Sequence, residues 1–302
     1  MAETTEVSLE RYRQLAAGDD SARSGHYRDL VTSYYDLVTD LYLEGWGASH
    51  HFAPLKPGDS HVDALAARQR FLAERAGLCP GMTALDVGSG VGGPALNIAG
   101  ISGAHVTGLD LTPGRVERAR GRARELGLEE RTTFVHGDAM YMPFEDASFD
   151  VVYAFEAICH TADKDRTHAE IARVLKPGGL SIGYEWLAGD GLTDGERRRL
   201  VEPVCRYYAL PHLTTPGGLA EQLRRAGFTG VVVGDAEATG DLTATWDYLD
   251  QLADLGEQFD DSPVRKFMVQ GARALTRAAR EGAFLIEFWE ARKPGTLPGR
   301  DS

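Results

Sequence analysis

The residues best equipped for chemistry are carboxylates and glycines at the ends of short β-branched runs. Asp86 belongs to Asp86-Val87-Gly88-Ser89-Gly90-Val91-Gly92-Gly93, which closes one such run and opens a helix-forming stretch. Glycines there let backbone approach a ligand, and a helix start favours polar or negative groups. A dinucleotide-binding loop reads Gly-x-Gly-x-x-Gly. Here the spacing is Asp86-x-Gly88-x-Gly90-x-Gly92, and the acid ahead of the first glycine suits a cationic group, such as the amino end of an amino acid, better than a pyrophosphate. Asp110 ends the next run, 20 residues after Gly90, where a carboxylate can accept both hydroxyls of a ribose. Asp138, in Gly137-Asp138-Ala139, follows the third run, where it could take an adenine amino group. One such acid reads as an ordinary cap or turn residue. Three at successive strand ends point to a nucleoside ligand with a cationic end.

A second set lies further on. Glu156 ends a fourth run, His160 follows four residues later, and Glu185 ends a fifth. A carboxylate beside an apolar pocket can have a raised pKa and act as acid or base. Glu156 is the preferred base, with His160 as orienter or relay and Glu185 as a third candidate. Tyr34, Tyr35, Tyr42, Trp46 and Phe52 make a dense aromatic set, joined by Trp186, Tyr207 and Tyr208. Such rings either pack a helix onto a sheet or line a pocket, and their faces attract cations. Arg197, Arg198 and Arg199, with Arg206 nearby, form a basic cluster that could hold a diphosphate. Three adjacent helical arginines do not share one face, so a solvated surface is the expectation, as it is for Arg118, Arg120, Arg122 and Arg124. Cys79, Cys159 and Cys205 are too few and too scattered for a disulfide framework or a zinc site. No metal site is expected.

The elements that must position these groups follow from periodicity. Met82–Gly88, His105–Leu111, Thr132–Asp138, Phe149–Phe155 and Gly179–Trp186 read as five strands, with helices such as Pro113–Gly127 and Arg166–Leu175 between them. Val231–Asp235 and Phe284–Arg292 add two more strands. Alternation of this kind predicts an α/β fold with a doubly wound, mostly parallel seven-stranded sheet, Rossmann-like, preceded by helices and carrying a helical insertion over the site. The expected divisions are a flexible arm or docking helix over 1–26, a helical and aromatic cap over 27–80, and a ligand-binding core over 81–188. Acceptor-site helices with the last strands follow over 189–294, helical near 194–209, 216–226 and 244–280, and a disordered tail is expected over 295–302.

Composition narrows the class. The chain has 302 residues and a formal net charge of −13, with a pI near 5.2. No basic footprint for nucleic acid is visible, no run approaches the ~20 apolar residues of a membrane span, and, with neither a basic nor an apolar opening stretch, a secretory signal is not expected. A cytoplasmic protein without stable membrane insertion is expected. Self-association through residues 1–26 is left open.

The three acids and the element order over about 82–188 resemble the class I S-adenosylmethionine-dependent methyltransferases. The resemblance implies S-adenosyl-L-methionine as cofactor, held by Asp86, Gly88, Ser89, Gly90, Gly92, Asp110, Leu111, Gly137, Asp138, Ala139 and Phe155. A narrower resemblance runs from about Tyr34 to Pro294. Tyr34-Tyr35-Asp36-Leu37, Glu44-Gly45-Trp46-Gly47 and His50-His51-Phe52 are similar to the aromatic segment of the sterol 24-C-methyltransferases, although Leu43-Glu44 stands where that family usually has Glu-Tyr. Phe155-Glu156-Ala157-Ile158-Cys159-His160, Val174–Gly179, Tyr184-Glu185-Trp186 and Ala291-Arg292-Lys293-Pro294 resemble further blocks of it. This implies methylation of an alkene carbon of a sterol-like, terpenoid or prenylated lipophile through a carbocation that then loses a proton. Tyr34, Tyr35, Tyr42, Trp46, Phe52, Trp186, Tyr207 and Tyr208 would face the acceptor. The competing readings are a small-molecule N- or O-methyltransferase, a prenyl diphosphate C-methyltransferase, a cyclopropane-forming relative, and a cofactor binder without turnover.

Overall fold

The computed structural model describes residues 2–259 and 262–295; most of the segment expected as a disordered tail, 296–302, lies outside them. Four helices come first: α1 (Ala2–Ala16), α2 (Asp20–Gly25), α3 (Tyr27–Gly45) and α4 (His61–Arg75). The core alternates β1 (Thr83–Val87), α5 (Gly93–Ser102), β2 (His105–Asp110), α6 (Pro113–Glu125), β3 (Thr132–His136), β4 (Phe149–Phe155), α7 (Lys164–Val174) and β5 (Leu175–Ala188), with a 3₁₀ turn at Ile158–His160. Then come α8 (Asp194–Glu196), a π-turn (Arg197–Val201), α9 (Glu202–Tyr207), α10 (Pro216–Arg225), β6 (Thr229–Val233), α11 (Ala236–Thr239), α12 (Thr243–Phe259), α13 (Pro263–Arg280) and β7 (Phe284–Arg292).

The sheet has seven strands in the order β3-β2-β1-β4-β5-β7-β6. β1 pairs in parallel with β2 and β4, and β7 runs antiparallel between β5 and β6. Successive side chains of a strand face opposite sides, so β4 divides its residues between two cores. Val151, Tyr153 and Phe155 join the layer that includes Leu72, Ile98 and Phe288. Val152 and Ala154 join that of Ile171, Leu219 and Trp289. With both faces covered, the central strands are apolar almost throughout. The chain order reverses between β1 and β4, and ligands of open α/β sheets bind beyond the carboxyl ends of the strands there.

Residues 2–26 hold two docked helices. Leu9, Tyr12 and Ala16 of α1 are buried against Leu30 and Tyr34 of α3 and Phe267 of α13. Tyr12 Oη donates to the Arg206 carbonyl at 2.6 Å and accepts from the Ala209 amide at 2.9 Å. Arg23, fully buried, donates to the carbonyls of Leu210 and Pro211. A buried tyrosine and arginine contribute nothing to a hydrophobic repeat, which is why this segment reads as aperiodic. The stretch near 244–280 divides into α12 and α13. Ser262 Oγ accepts from the Arg265 amide at 3.3 Å, and Pro263 opens α13 where a missing N–H costs no hydrogen bond.

Candidate active site

The loop after β1 turns tightly enough to leave room beside the strand end. Gly88 has φ 75°, and a Cβ there would lie 2.3 Å from that of Ala157, so only glycine fits. Gly90 donates its amide to Asp110 Oδ2 at 2.8 Å, and the Thr112 amide donates to Oδ1 at 2.8 Å. Gly92 departs from expectation. It caps α5 and faces Phe134 and Ala119, where an added Cβ would meet the ring at 2.9 Å. Its part is helix packing.

Two small cavities open along this edge. One, about 60 Å³, is lined by Tyr27, Val31, Asp110, Leu111, Gly137, Asp138 and Ala139. The other, about 30 Å³, is lined by Asp86, Gly88, Ser89, Gly90, Phe155 and Glu156. Arg115 and Tyr35 border both. Asp86 is buried, and burial with the nearby Asp110 charge pushes its carboxyl up to about 8. Asp86 lies beside the buried Tyr153 hydroxyl, while Ser89 Oγ and Arg115 Nε, which line these cavities, are buried without a hydrogen-bond partner. Protein interiors rarely leave such groups unmet, so this edge is built for a polar ligand. S-adenosylmethionine fits the set: its ammonium suits Asp86, its ribose Asp110 and its adenine the cavity beside Leu111 and Ala139. Asp138 is differently placed from a free adenine acceptor. Its Oδ1 accepts from the Met140 amide, while Oδ2 accepts from Arg28 Nε at 2.7 Å and from Tyr27 Oη.

Glu156 sits just past β4 with φ 56°, a left-handed backbone that a residue with a Cβ rarely adopts. Strain of this kind persists where surroundings over-determine it, commonly at sites of function. The carboxylate accepts from the Phe52 amide at 2.9 Å and from Trp186 Nε1 at 2.6 Å. Buried Arg68 donates to the Phe52 carbonyl at 3.1 Å and to the Thr239 carbonyl, and its guanidinium lies 4.0 Å from the Tyr184 ring centre. Burial pushes Glu156 up to about 8, opposed by the Arg68 charge and the two N–H donors.

His160, on the 3₁₀ turn, has Nδ1 3.3 Å from the Ala209 carbonyl and Nε2 2.9 Å from Tyr35 Oη. A carbonyl only accepts, so Nδ1 carries the proton and Tyr35 donates to Nε2. Burial lowers His160 to about 4, so the ring is neutral. Glu185 lies elsewhere than a base requires. It accepts from the amides of Ile158 at 3.0 Å, Cys159 at 3.1 Å and Trp186 at 2.9 Å, and it lines neither the two groove cavities nor the aromatic cavity that Glu156 borders. It holds the turn that presents His160.

The expected aromatic residues converge, apart from Tyr207. Tyr34, Tyr35, Tyr42, Trp46, Phe52, Trp186 and Tyr208 line a third cavity with Glu156 and His160. Phe52 lies 5.1 Å from Trp46 and 5.9 Å from Trp186, centre to centre. Tyr34, Tyr42, Trp46 and Tyr208 continue into a wider apolar channel of about 400 Å³ between α3, α12 and α13. Tyr207 lies on the outer wall of that channel, its hydroxyl 3.2 Å from Gln270. His50 and His51 also line the third cavity. Both stand in the segment that carried the resemblance, yet adjacent histidines alone gave no reason to assign them. Arg68 and Arg115 sat among many surface arginines, and only burial sets them apart. Of the basic cluster, Arg199 pairs with Glu281 at 2.6 Å, and none of the four arginines lines the channel or the cavities around Glu156.

Comparison with known proteins gives the class first. Residues 85–183 match the methyltransferase domain family, and that match, with the fold and the acid-lined groove, defines an S-adenosylmethionine-dependent methyltransferase. The chain is 38% identical over 296 residues to the sterol 24-C-methyltransferase of Eremothecium gossypii, covering 94% of this chain and 79% of that one. It is 36% identical to the cycloartenol-C-24-methyltransferase of Arabidopsis thaliana, over 80% and 72% of the two chains. Among solved structures, the [4+2]-cyclase SpnF superposes with a TM-score of 0.73 at 30% identity, over 89% of this chain and 96% of that one. Geranyl diphosphate C-methyltransferase from Streptomyces coelicolor A3(2) shares the fold, with a TM-score of 0.68 at 19% identity over 89% and 98%. The chain belongs to the sterol 24-C-methyltransferase family and is a C-methyltransferase. Among the described residues, no helix is long and apolar enough to cross a membrane, and no acid, histidine and cysteine group could hold a metal ion.

Proposed function

We propose that the protein methylates an alkene carbon of a sterol-like or similarly sized isoprenoid lipophile. The observation that carries this reading is the continuity of the apolar channel with the aromatic cavity that ends at Glu156 and His160. When bound, S-adenosylmethionine supplies an electrophilic methyl group. The channel would hold the acceptor in one orientation, and alignment alone can contribute several kcal/mol to lowering a barrier. Tyr34, Trp46, Phe52, Trp186 and Tyr208 would surround the cationic acceptor, each face worth ~0.5–2 kcal/mol, and would keep water from trapping it. Glu156, ionised once the cationic cofactor and acceptor lie beside it, would take the proton that leaves. Neutral His160, fixed by Ala209, would orient the Tyr35 hydroxyl against the same cavity.

A diphosphate acceptor is disfavoured. The acidic and basic residues lining the wide channel are Glu44 and Arg265, 3.9 Å apart, so a double anion would face one cation already beside an acid. Turnover of methyl-deuterated S-adenosylmethionine against sterols, prenyl diphosphates and prenylated aromatics, read by mass, tests the proposal. Gain of CD3 on an alkene carbon of a sterol or prenylated acceptor supports it. Label on nitrogen, oxygen or a prenyl diphosphate would overturn it, as would binding of cofactor and acceptor with no label transferred.

A further inference from the structure

We propose that Arg115 reads the α-carboxylate of S-adenosylmethionine. The guanidinium is buried at the mouth of α6 and borders both small cavities. It lies 3.8 Å from the Tyr35 ring centre, with Nη1 3.7 Å from Asp110 Oδ2 and Nη2 3.0 Å from His50 Nδ1. His50 is neutral, lowered to about 3 by burial and by this arginine, and its Nε2 faces the Gly47 carbonyl at 2.9 Å. Its Nδ1 therefore accepts from Arg115. Gly90 makes space for the arrangement, since a Cβ there would lie 2.3 Å from Nη2.

Charge complementarity points to the carboxylate. Of the residues lining the two cavities, four are acids (Asp86, Asp110, Asp138 and Glu156) and Arg115 is the one lysine or arginine. The cofactor carries two cationic groups and one anionic group. The acids answer the cations and the hydroxyls, and Arg115 is the cation left to meet the anion. Its Nε is buried with no partner, an unmet donor that a carboxylate would satisfy by a charge-assisted bond. A ligand with its amino acid beside Asp86 and its nucleoside beside Leu111 must also run through the space the guanidinium now borders. Arg115 thus stands between the two ends of such a ligand, beside the carboxylate it would bind.

The test is calorimetric binding to the intact protein and to Arg115→Met. S-adenosylhomocysteine has the carboxylate, while decarboxylated S-adenosylhomocysteine and 5′-methylthioadenosine lack it. Loss of a bond to a charged group corresponds to a factor on the order of 10 to 100 in affinity. Arg115→Met is expected to weaken S-adenosylhomocysteine by that factor and to leave the two truncated ligands within about threefold, with Arg115→Lys between. Unchanged S-adenosylhomocysteine affinity would overturn the proposal and give the carboxylate to the loop amides. Equal weakening of all three ligands would overturn it too, leaving Arg115 a wall of the groove. Should the methionine variant not fold, the wild-type protein alone decides: equal affinity for S-adenosylhomocysteine and its decarboxylated form also defeats the proposal.

Discussion

Trp186 Nε1 donates to the Glu156 carboxylate at 2.6 Å, so an indole from β5 fixes an acid at the end of β4. With the Phe52 amide on the other oxygen, the carboxylate is aimed by groups from two parts of the chain. Both donors belong to residues whose rings line the same cavity. The proposed base is therefore held by the walls that would enclose the cation.

Glu156→Gln keeps the shape and removes the base. General base catalysis contributes ~10²–10⁴-fold, so acceptor turnover should fall by at least about 100-fold while S-adenosylhomocysteine binding stays within about threefold. Turnover near wild type in single-turnover assays would take Glu156 out of that role.

Glu185→Gln should behave differently. Its carboxylate serves three backbone amides beneath the His160 turn, and a buried donor left unmet costs ~1–3 kcal/mol. A lowered melting temperature is expected, with a smaller loss of turnover than for Glu156→Gln. A greater loss of turnover at unchanged stability would restore Glu185 as a base candidate.

Measured without added cofactor, the protein should lose stability as pH rises above about 6.5. Burial raises Asp86 and Glu156 to about 8 and Glu185 to about 7. Above their ordinary values near 4, the folded chain holds protons that the unfolded chain has released, so stability falls with pH until the raised values are passed. Burial lowers His50, His51, His160, His168 and His212 to about 3 or 4. Their contribution has the opposite slope and is complete once pH exceeds the ordinary histidine value near 6.5. Melting curves should therefore peak near pH 6.5 and decline toward 8.5, less steeply for Glu156→Gln. A melting temperature that climbs across that interval would contradict the assignment.

Trp46→Leu removes a ring from the cavity and keeps an apolar side chain. A cation–π contribution of ~0.5–2 kcal/mol predicts a loss of about 2- to 30-fold in turnover at saturating acceptor. A rise in KM alone, with the maximal rate intact, would reduce Trp46 to a packing role.

Tyr12→Phe leaves the ring packed against Tyr34 of α3 and removes the hydroxyl that serves Arg206 and Ala209. Ala209 is also the carbonyl that orients His160. The variant should be less stable by ~1–3 kcal/mol and slower with acceptor, with cofactor affinity unchanged. Wild-type turnover would sever the link between α1 and the site.

Much was legible in the chain alone because its signals are local. A β-branched run followed by Asp86 and spaced glycines marks a strand, a turn and a helix start, since φ, ψ and hydrophobic period act over a few residues. The acids at successive strand ends and the aromatic segment before the core follow from the same short-range patterns. The tertiary structure decided what depends on burial and convergence. Glu156 lies just past β4 and Glu185 within β5 near its end, yet one meets a cavity and the other three backbone amides, because neighbouring strands and turns compete for each carboxylate. Gly92 looks like Gly88 in spacing but faces Phe134 instead of the groove. Arg68 and Arg115 are ordinary letters in an arginine-rich chain until packing removes water from them. Desolvation makes an unpaired charge costly, and it is a property of the folded neighbourhood that spacing along the chain does not encode.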